Sequence, residues 1–167
     1  EVDETYIGRL ADVPKQRRGP AHKNTVLTLV ERGGIARSFH IDTTAVARIV
    51  PIVNANIAKE SALMTDEARH YKTVGKTFAA HGSVNHGTDE YVRGNVHTNT
   101  VEGFYSIFKR GMKGVYQHCD EKHLHRYLSE FDFRYNHRSV NDDERATAAV
   151  KGITGRRLTY RRTAQGG

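Results

Sequence analysis

At 167 residues the chain is long enough for one domain with a buried core, and its 37% apolar content is ordinary for a globular protein. No apolar run approaches the roughly 20 residues of a membrane span, and no basic-then-apolar start reads as a signal peptide. A single cysteine, Cys119, excludes an internal disulfide framework, so a cytoplasmic protein is expected. The net charge of +7, from 26 basic and 19 acidic residues, favours a polyanionic partner. Many basic proteins bind no nucleic acid, however, so where the charge sits matters more than its sum.

The chain opens EVDETY, without a methionine, and reads as a fragment. Residues 1–7 alternate well enough for a strand, with Val2, Tyr6 and Ile7 as core candidates. A polar loop follows, in which Lys15, Arg17, Arg18 and Lys23 cluster around Gly19 and Pro20. The β-rich runs 25–31 and 35–41, separated by Arg32-Gly33-Gly34, predict a hairpin. From Thr43 the period becomes helical, through Val46, Ile49, Val50, Val53 and Ile57, with Asp42 or Thr43 as N-cap and Pro51 expected to kink or split the helix. The run 61–65 predicts a strand ending at Asp66. A short helix near 68–78 and a short strand near 83–86 follow.

Two amphipathic helices come next. One carries Val101, Phe104, Tyr105, Phe108 and Met112; the other carries Leu124, Tyr127, Leu128, Phe131 and Tyr135 and is opened by Asp120. The predicted organisation is one α/β domain over 1–138 and a basic, loosely ordered tail over 139–167, which holds Arg156, Arg157, Arg161 and Arg162.

Three acids stand at suggestive places: Asp3 within the first strand, Asp66 at the end of a later strand, and Glu102 at a helix start. Phosphodiester chemistry with divalent ions needs such a set. Hard oxygen ligands hold magnesium, and two ions about 3.5–4 Å apart stabilise both the attacking and the leaving oxygen. Each acid also has a plainer reading. Asp3 could be a polar residue on an exposed strand face, and Asp66 could cap the following helix. Residues 99–102 have capping-box spacing, which would account for Glu102. Lys109 lies seven residues, nearly two helical turns, beyond Glu102, so both project from one helix face.

The segments VDETYIG, TDEARHY, HTNTVEGFYSIFKRGMKGVY and KHLHRYLSEFDFRYNHR resemble DDE transposases of bacterial insertion sequences, nearest to the group numbered fifteen ninety-five. Full-length members of that group carry a zinc ribbon ahead of the catalytic domain, which this chain does not include. The resemblance runs from Glu1 to about Arg138. It implies a ribonuclease H-like mixed sheet flanked by helices, with Asp3, Asp66 and Glu102 as catalytic, metal-holding residues. Lys109 is similar to the basic residue that many DDE enzymes place two turns after the Glu. The implied activity is DNA strand cleavage and strand transfer of an insertion sequence, with Mg2+ as cofactor and Mn2+ as a substitute. DNA is the implied partner; with Lys109, the clustered basic residues Arg110, Lys113, Arg17 and Arg18 are the candidate contacts read from the placement of charge, and a homo-oligomer is expected on DNA. An inactive transposase-derived binding module is the alternative. The loop after Tyr6 reads IGRLADV, where relatives tend to have a second glycine followed by lysines.

Other constellations are weaker. His118, Cys119, His123 and His125 lie close in sequence, but adjacent residues and opposite helix faces argue against a zinc site. His97 precedes the Glu102 helix and could orient the acid. Tyr71 lacks the arginines and histidines that a nucleophilic tyrosine would need around it.

Overall fold

The computed structural model describes residues 1–10, 12–15, 19–117 and 119–155. Arg17, Arg18, His118 and the arginines from 156 onward lie outside the described residues. The chain divides into a unit of Glu1–Asn136 and a second of His137–Gly167.

Three antiparallel strands, β1 (Val2–Ile7), β2 (Asn24–Val30) and β3 (Ala36–Ile41), form a sheet in that order. Asp3 lies opposite Thr28, and Thr28 opposite Ser38. The hairpin expected from 25–41 is present, and its turn places Gly33 at φ 73°, a conformation that costs glycine little. Strand β2 is buried along its whole length, as befits a central strand covered on both faces.

The pleat sorts the two faces. Val26, Val30 and Ala36 pack with α3 (Asn99–Gly111) and α4 (Leu124–Asn136). Val2, Leu27, Leu29 and Ile41 pack with α1 (Val46–Asn56) and α2 (Arg69–Gly75). Each fully buried aliphatic side chain contributes roughly 1.5–3 kcal/mol, so the two layers hold the sheet from both sides.

Strands β4 (Ala62–Thr65) and β5 (Ala80–Ser83) form a separate parallel pair, with β4 beside β1. A third pair, β6 (Val92–Arg93) and β7 (Val96–His97), is antiparallel. The fold is therefore mixed α/β, built of helices around small sheets rather than one continuous ladder.

Several local expectations change. Pro51 lies inside α1 without splitting it. Its ring sits on the exposed face, where Ala47, four residues earlier, is also exposed, while Ile49 and Val53 anchor the buried face. The N-cap of α1 is Ala45, not Asp42 or Thr43, although the Thr43 hydroxyl accepts a hydrogen bond from the Ala45 amide at 3.2 Å. The strand expected at 83–86 falls at 80–83 instead. The stripe from Val101 to Met112 is buried as expected, but after Gly111 the chain winds into a π-helical turn, Met112–Tyr116. A 3-10 turn, Glu121–His123, with Asp120 as its N-cap, leads into α4.

The second unit contains α5 (Asp142–Lys151) where the sequence suggested a loose tail. Asn141 accepts the Glu144 amide as N-cap, and Asp142, Asp143 and Glu144 crowd the positive helix end. Its hydrophobic face is weak, which is why periodicity did not reveal it. Among the described residues no helix is long and apolar enough to cross a membrane.

Candidate active site

Asp3 projects from β1 toward the α3 face of the sheet, because it shares that face with Thr28 and Val26. Burial, with repulsion from Glu4, Asp66 and Glu102, pushes its carboxyl up from 3.8 to about 8. One oxygen accepts the Glu4 amide at 2.8 Å. The other two acids selected from sequence, Asp66 and Glu102, are thus within electrostatic reach of Asp3.

Asp66 follows the last residue of β4, as expected. Burial raises its carboxyl, with Glu4 and Glu67 adding to the effect, against a hydrogen bond from the Ala68 amide at 2.9 Å. That bond has capping character, but α2 begins at Arg69 with Ala68 as N-cap and no side-chain cap. Asp66 therefore orders the turn ahead of the helix without capping it.

Glu102 lies in the first turn of α3 and is about half exposed, at 45% of its side-chain surface. The Thr98 hydroxyl donates to Glu102 Oε1 at 2.5 Å, and His86 Nε2 lies 3.6 Å from the same oxygen. The capping box expected over 99–102 is shifted by one residue: Thr98 is the N-cap, and its hydroxyl serves Glu102 rather than a backbone amide. Lys109 lies on the same helix, with Nζ 6.0 Å from the ring centre of Tyr105. Arg110 is near the helix end and exposed; Lys113, also exposed, stands in the π turn.

Sequence reading missed several neighbours. Glu4, on the opposite face of β1, accepts the Tyr71 hydroxyl at 2.5 Å and has His70 Nε2 at 3.4 Å. Burial opposes its charge, but the nearby His70 imidazole and the hydrogen bond from Tyr71 hold its carboxyl below the ordinary value. Tyr71 is itself completely buried, which accounts for it as a core residue. Glu67 accepts the amides of His86 and Gly87 at 3.1 and 3.3 Å, tying the turn that carries His86 to the residue after Asp66. Glu1 and His97 join the start of α3. One signal was available: Glu1 and Asp3 are two apart on an alternating segment and so share a face.

All three acids supply hard oxygen donors, the ligand type that magnesium or manganese takes. Burial and neighbouring carboxylates disfavour the charges of Asp3 and Asp66, which a cation would neutralise, so the donor set suits a divalent ion in chemistry. It is not a preformed cage: among the described residues no three His, Cys, Asp or Glu stand close enough to hold a metal as they are. The ion pairs of the described residues bring no lysine or arginine to Asp3, Asp66 or Glu102. A cleft of about 640 Å³, lined by Leu29, Ile35, Asn56 and Leu63 among others, includes none of the three acids.

Comparison with known proteins identifies the family. Residues 1–136 match the model of the ISXO2-like transposase domain. The chain is 29% identical over 150 residues to an uncharacterised protein in transposable element ISH50 of Halobacterium salinarum, covering 80% of this chain and 51% of that protein. It is 23% identical over 94 residues to an uncharacterised transposase-like protein of Haemophilus influenzae, covering 56% of this chain and 75% of that one. The chain thus spans about half the length of the first of these relatives and three quarters of the second. No solved structure matches it. With its matched region running from Glu1 through the end of α4, the chain belongs to the ISXO2-like transposase domain family.

Proposed function

We propose that this chain is a DDE transposase domain that cleaves and transfers DNA strands, acting in the cytoplasm as a homo-oligomer on the ends of an insertion sequence. The observation that carries the reading is the convergence of Asp3 on β1, Asp66 just past β4 and Glu102 in α3, where burial and Glu4, together with Asp66 and Glu102, push the Asp3 carboxyl up to about 8. Perturbation of this kind, by burial together with named like charges, is a mark of functional sites. The strand succession β3-β2-β1 with β4 beside β1 and β5 beside β4 supports a ribonuclease H-like arrangement.

Asp3 and Asp66 would hold the metal, with Glu102 completing the set, and what magnesium or manganese supplies in such a site is stabilisation of the attacking and leaving oxygens of a phosphodiester. The protein's own residues do the rest. The Glu102 carboxylate is held in one orientation by the Thr98 hydroxyl. Lys109, seven residues along α3, offers an ammonium to a backbone phosphate, with Arg110 and Lys113 beyond it. In the first step water displaces a 3′-oxygen from phosphorus and frees a 3′-hydroxyl at the element end. That hydroxyl then attacks a target phosphodiester, one P–O bond forming as another breaks, so strand transfer needs no outside energy source.

The test is magnesium-dependent cleavage of a labelled element end by the chain and its Asp66→Asn variant, within the complete protein if further segments are required. Asn keeps the shape and the Ala68 hydrogen bond but not the charge. Cleavage should be abolished while DNA affinity and fold persist. Cleavage at the parental rate by Asp66→Asn overturns the assignment. A wild-type chain that binds DNA without cutting it favours the inactive binding module.

A further inference from the structure

Helix α3 begins in an unusual way. The first amides of any helix lack intrahelical partners, and a Ser, Thr, Asp or Asn at the N-cap normally serves one of them. Thr98 occupies that position, yet its hydroxyl donates to Glu102 instead. The amide of Val101 is served from another part of the fold: it donates to Glu1 Oε2 at 2.9 Å, and the Thr100 hydroxyl donates to Glu1 Oε1 at 2.9 Å.

The Glu1 side chain is completely buried, a costly place for a carboxylate unless its charge and lone pairs are matched. Arg32, from the β2–β3 turn, supplies the match through Nε at 2.6 Å. The other two arms of that guanidinium donate to the carbonyls of Asn95 and His97 at 2.7 and 3.0 Å. His97 Nδ1 lies 3.1 Å from Glu1 Oε1. One buried carboxylate therefore gathers the segment ahead of β1, the β2–β3 turn and the chain leading into α3. Glu1 stands two residues before Asp3, and the amide it holds belongs to the residue before Glu102.

We propose that Glu1, clamped by Arg32, is a positioning residue that fixes the start of α3 against β1 and so sets Glu102 relative to Asp3. A helix cap needs only a local side chain. A cap reaching from the residue just ahead of the strand that carries Asp3 couples the placement of two acids, and the Arg32 fork prevents the 95–97 segment from shifting independently. This rests on the reading of Asp3, Asp66 and Glu102 as the metal-holding set.

The experiment is Mn2+ binding to the 167-residue chain, followed by its paramagnetic signal, for wild type, Asp66→Asn, Glu1→Ala and Arg32→Lys, at a temperature where circular dichroism shows each variant folded. Outer partners of ligating groups are typically worth about 10–100-fold in metal affinity. Glu1→Ala should therefore bind Mn2+ at least about 10-fold more weakly, with faster amide exchange at Val101 and Glu102. If Glu1→Ala does not fold, Arg32→Lys carries the test: lysine keeps the charge but cannot make the three-way fork, and the same direction of loss is expected. Parental Mn2+ affinity in a folded Glu1 or Arg32 variant, alongside loss in Asp66→Asn, overturns the positioning role and leaves the metal reading intact. A wild-type chain that binds no Mn2+, or an Asp66→Asn chain that binds it unchanged, overturns the metal reading and this proposal with it.

Discussion

The hydroxyl of Tyr105 donates to the backbone carbonyl of Asp3 at 2.5 Å, tying the middle of α3 to the strand residue that carries the first acid. Its second contact, to the Val26 carbonyl at 3.2 Å, spans the adjacent strand. The ring is buried and lies beneath the Lys109 ammonium. Tyr105→Phe keeps the packing and deletes the donor, so it should cost about 1–3 kcal/mol in denaturant unfolding, the range for leaving a buried acceptor without its partner. An unchanged midpoint would show that water or the ladder serves those carbonyls instead.

Asp3 gives the chain a pH dependence of definite sign. Folded, its carboxyl keeps a proton to about pH 8; unfolded, it titrates near the ordinary 3.8. Between these values the folded state binds this extra proton, so the Asp3 contribution to stability is full below about pH 4 and is lost as pH rises toward 8. Asp66 and Asp132, also raised by burial, act in the same direction; His81, pushed down by burial, opposes them as pH rises toward its ordinary 6.5; the lowered Glu4 and Glu67 act only below the ordinary carboxylate range. Denaturant unfolding in chelator at pH 5, 6, 7 and 8 should show a falling midpoint, flattened in Asp3→Asn. A midpoint that climbs with pH in the parent contradicts this.

The same carboxyl predicts proton release. Ligands to a divalent ion must be ionised, so adding Mn2+ to the chelator-treated chain at pH 7 should liberate close to one proton per site, and fewer as the starting pH approaches 9. Titration in weakly buffered solution with an indicator dye reads this directly. No proton release on binding would mean that the ion sits away from Asp3.

Helix α4 covers the outer edge of β3 with side chains one turn apart. Asn136 accepts the Ala36 amide at 2.6 Å and donates to its carbonyl at 3.0 Å, while Asp132 accepts the amide and hydroxyl of Ser38, both at 2.7 Å. These bonds satisfy backbone groups that an edge strand would otherwise offer to another chain. Asn136→Ala should destabilise by about 1–3 kcal/mol and promote self-association on light scattering. A stable, monodisperse variant would count against this role.

DNA affinity should respond to salt according to the number of phosphates contacted. Lys113→Ala should lower the magnitude of the log K against log salt slope by about 1 and weaken binding on all sequences alike. A change confined to one sequence would instead indicate base contact.

Elements whose signal is local could be read directly from the amino-acid order. The stripes 101–112 and 124–135 have helical period, the hairpin has β-rich runs around Arg32-Gly33-Gly34, and Asp66 ends a short apolar run, so each is written in neighbouring residues. The motifs from His97 to Arg138 likewise marked the family, because they are contiguous. The remaining features depend on partners distant in sequence and emerge only in the folded chain. Periodicity cannot say that Pro51 falls on an exposed face, that a buried Glu1 caps a helix 100 residues away, or that Thr98 turns from its own helix to Glu102. Nor can it say that Asp3 is crowded by Glu4, Asp66 and Glu102, because a carboxyl's proton affinity follows from burial and from the charges around it. Residue type names a possible acid or ligand; only the fold sets the field in which that group must work.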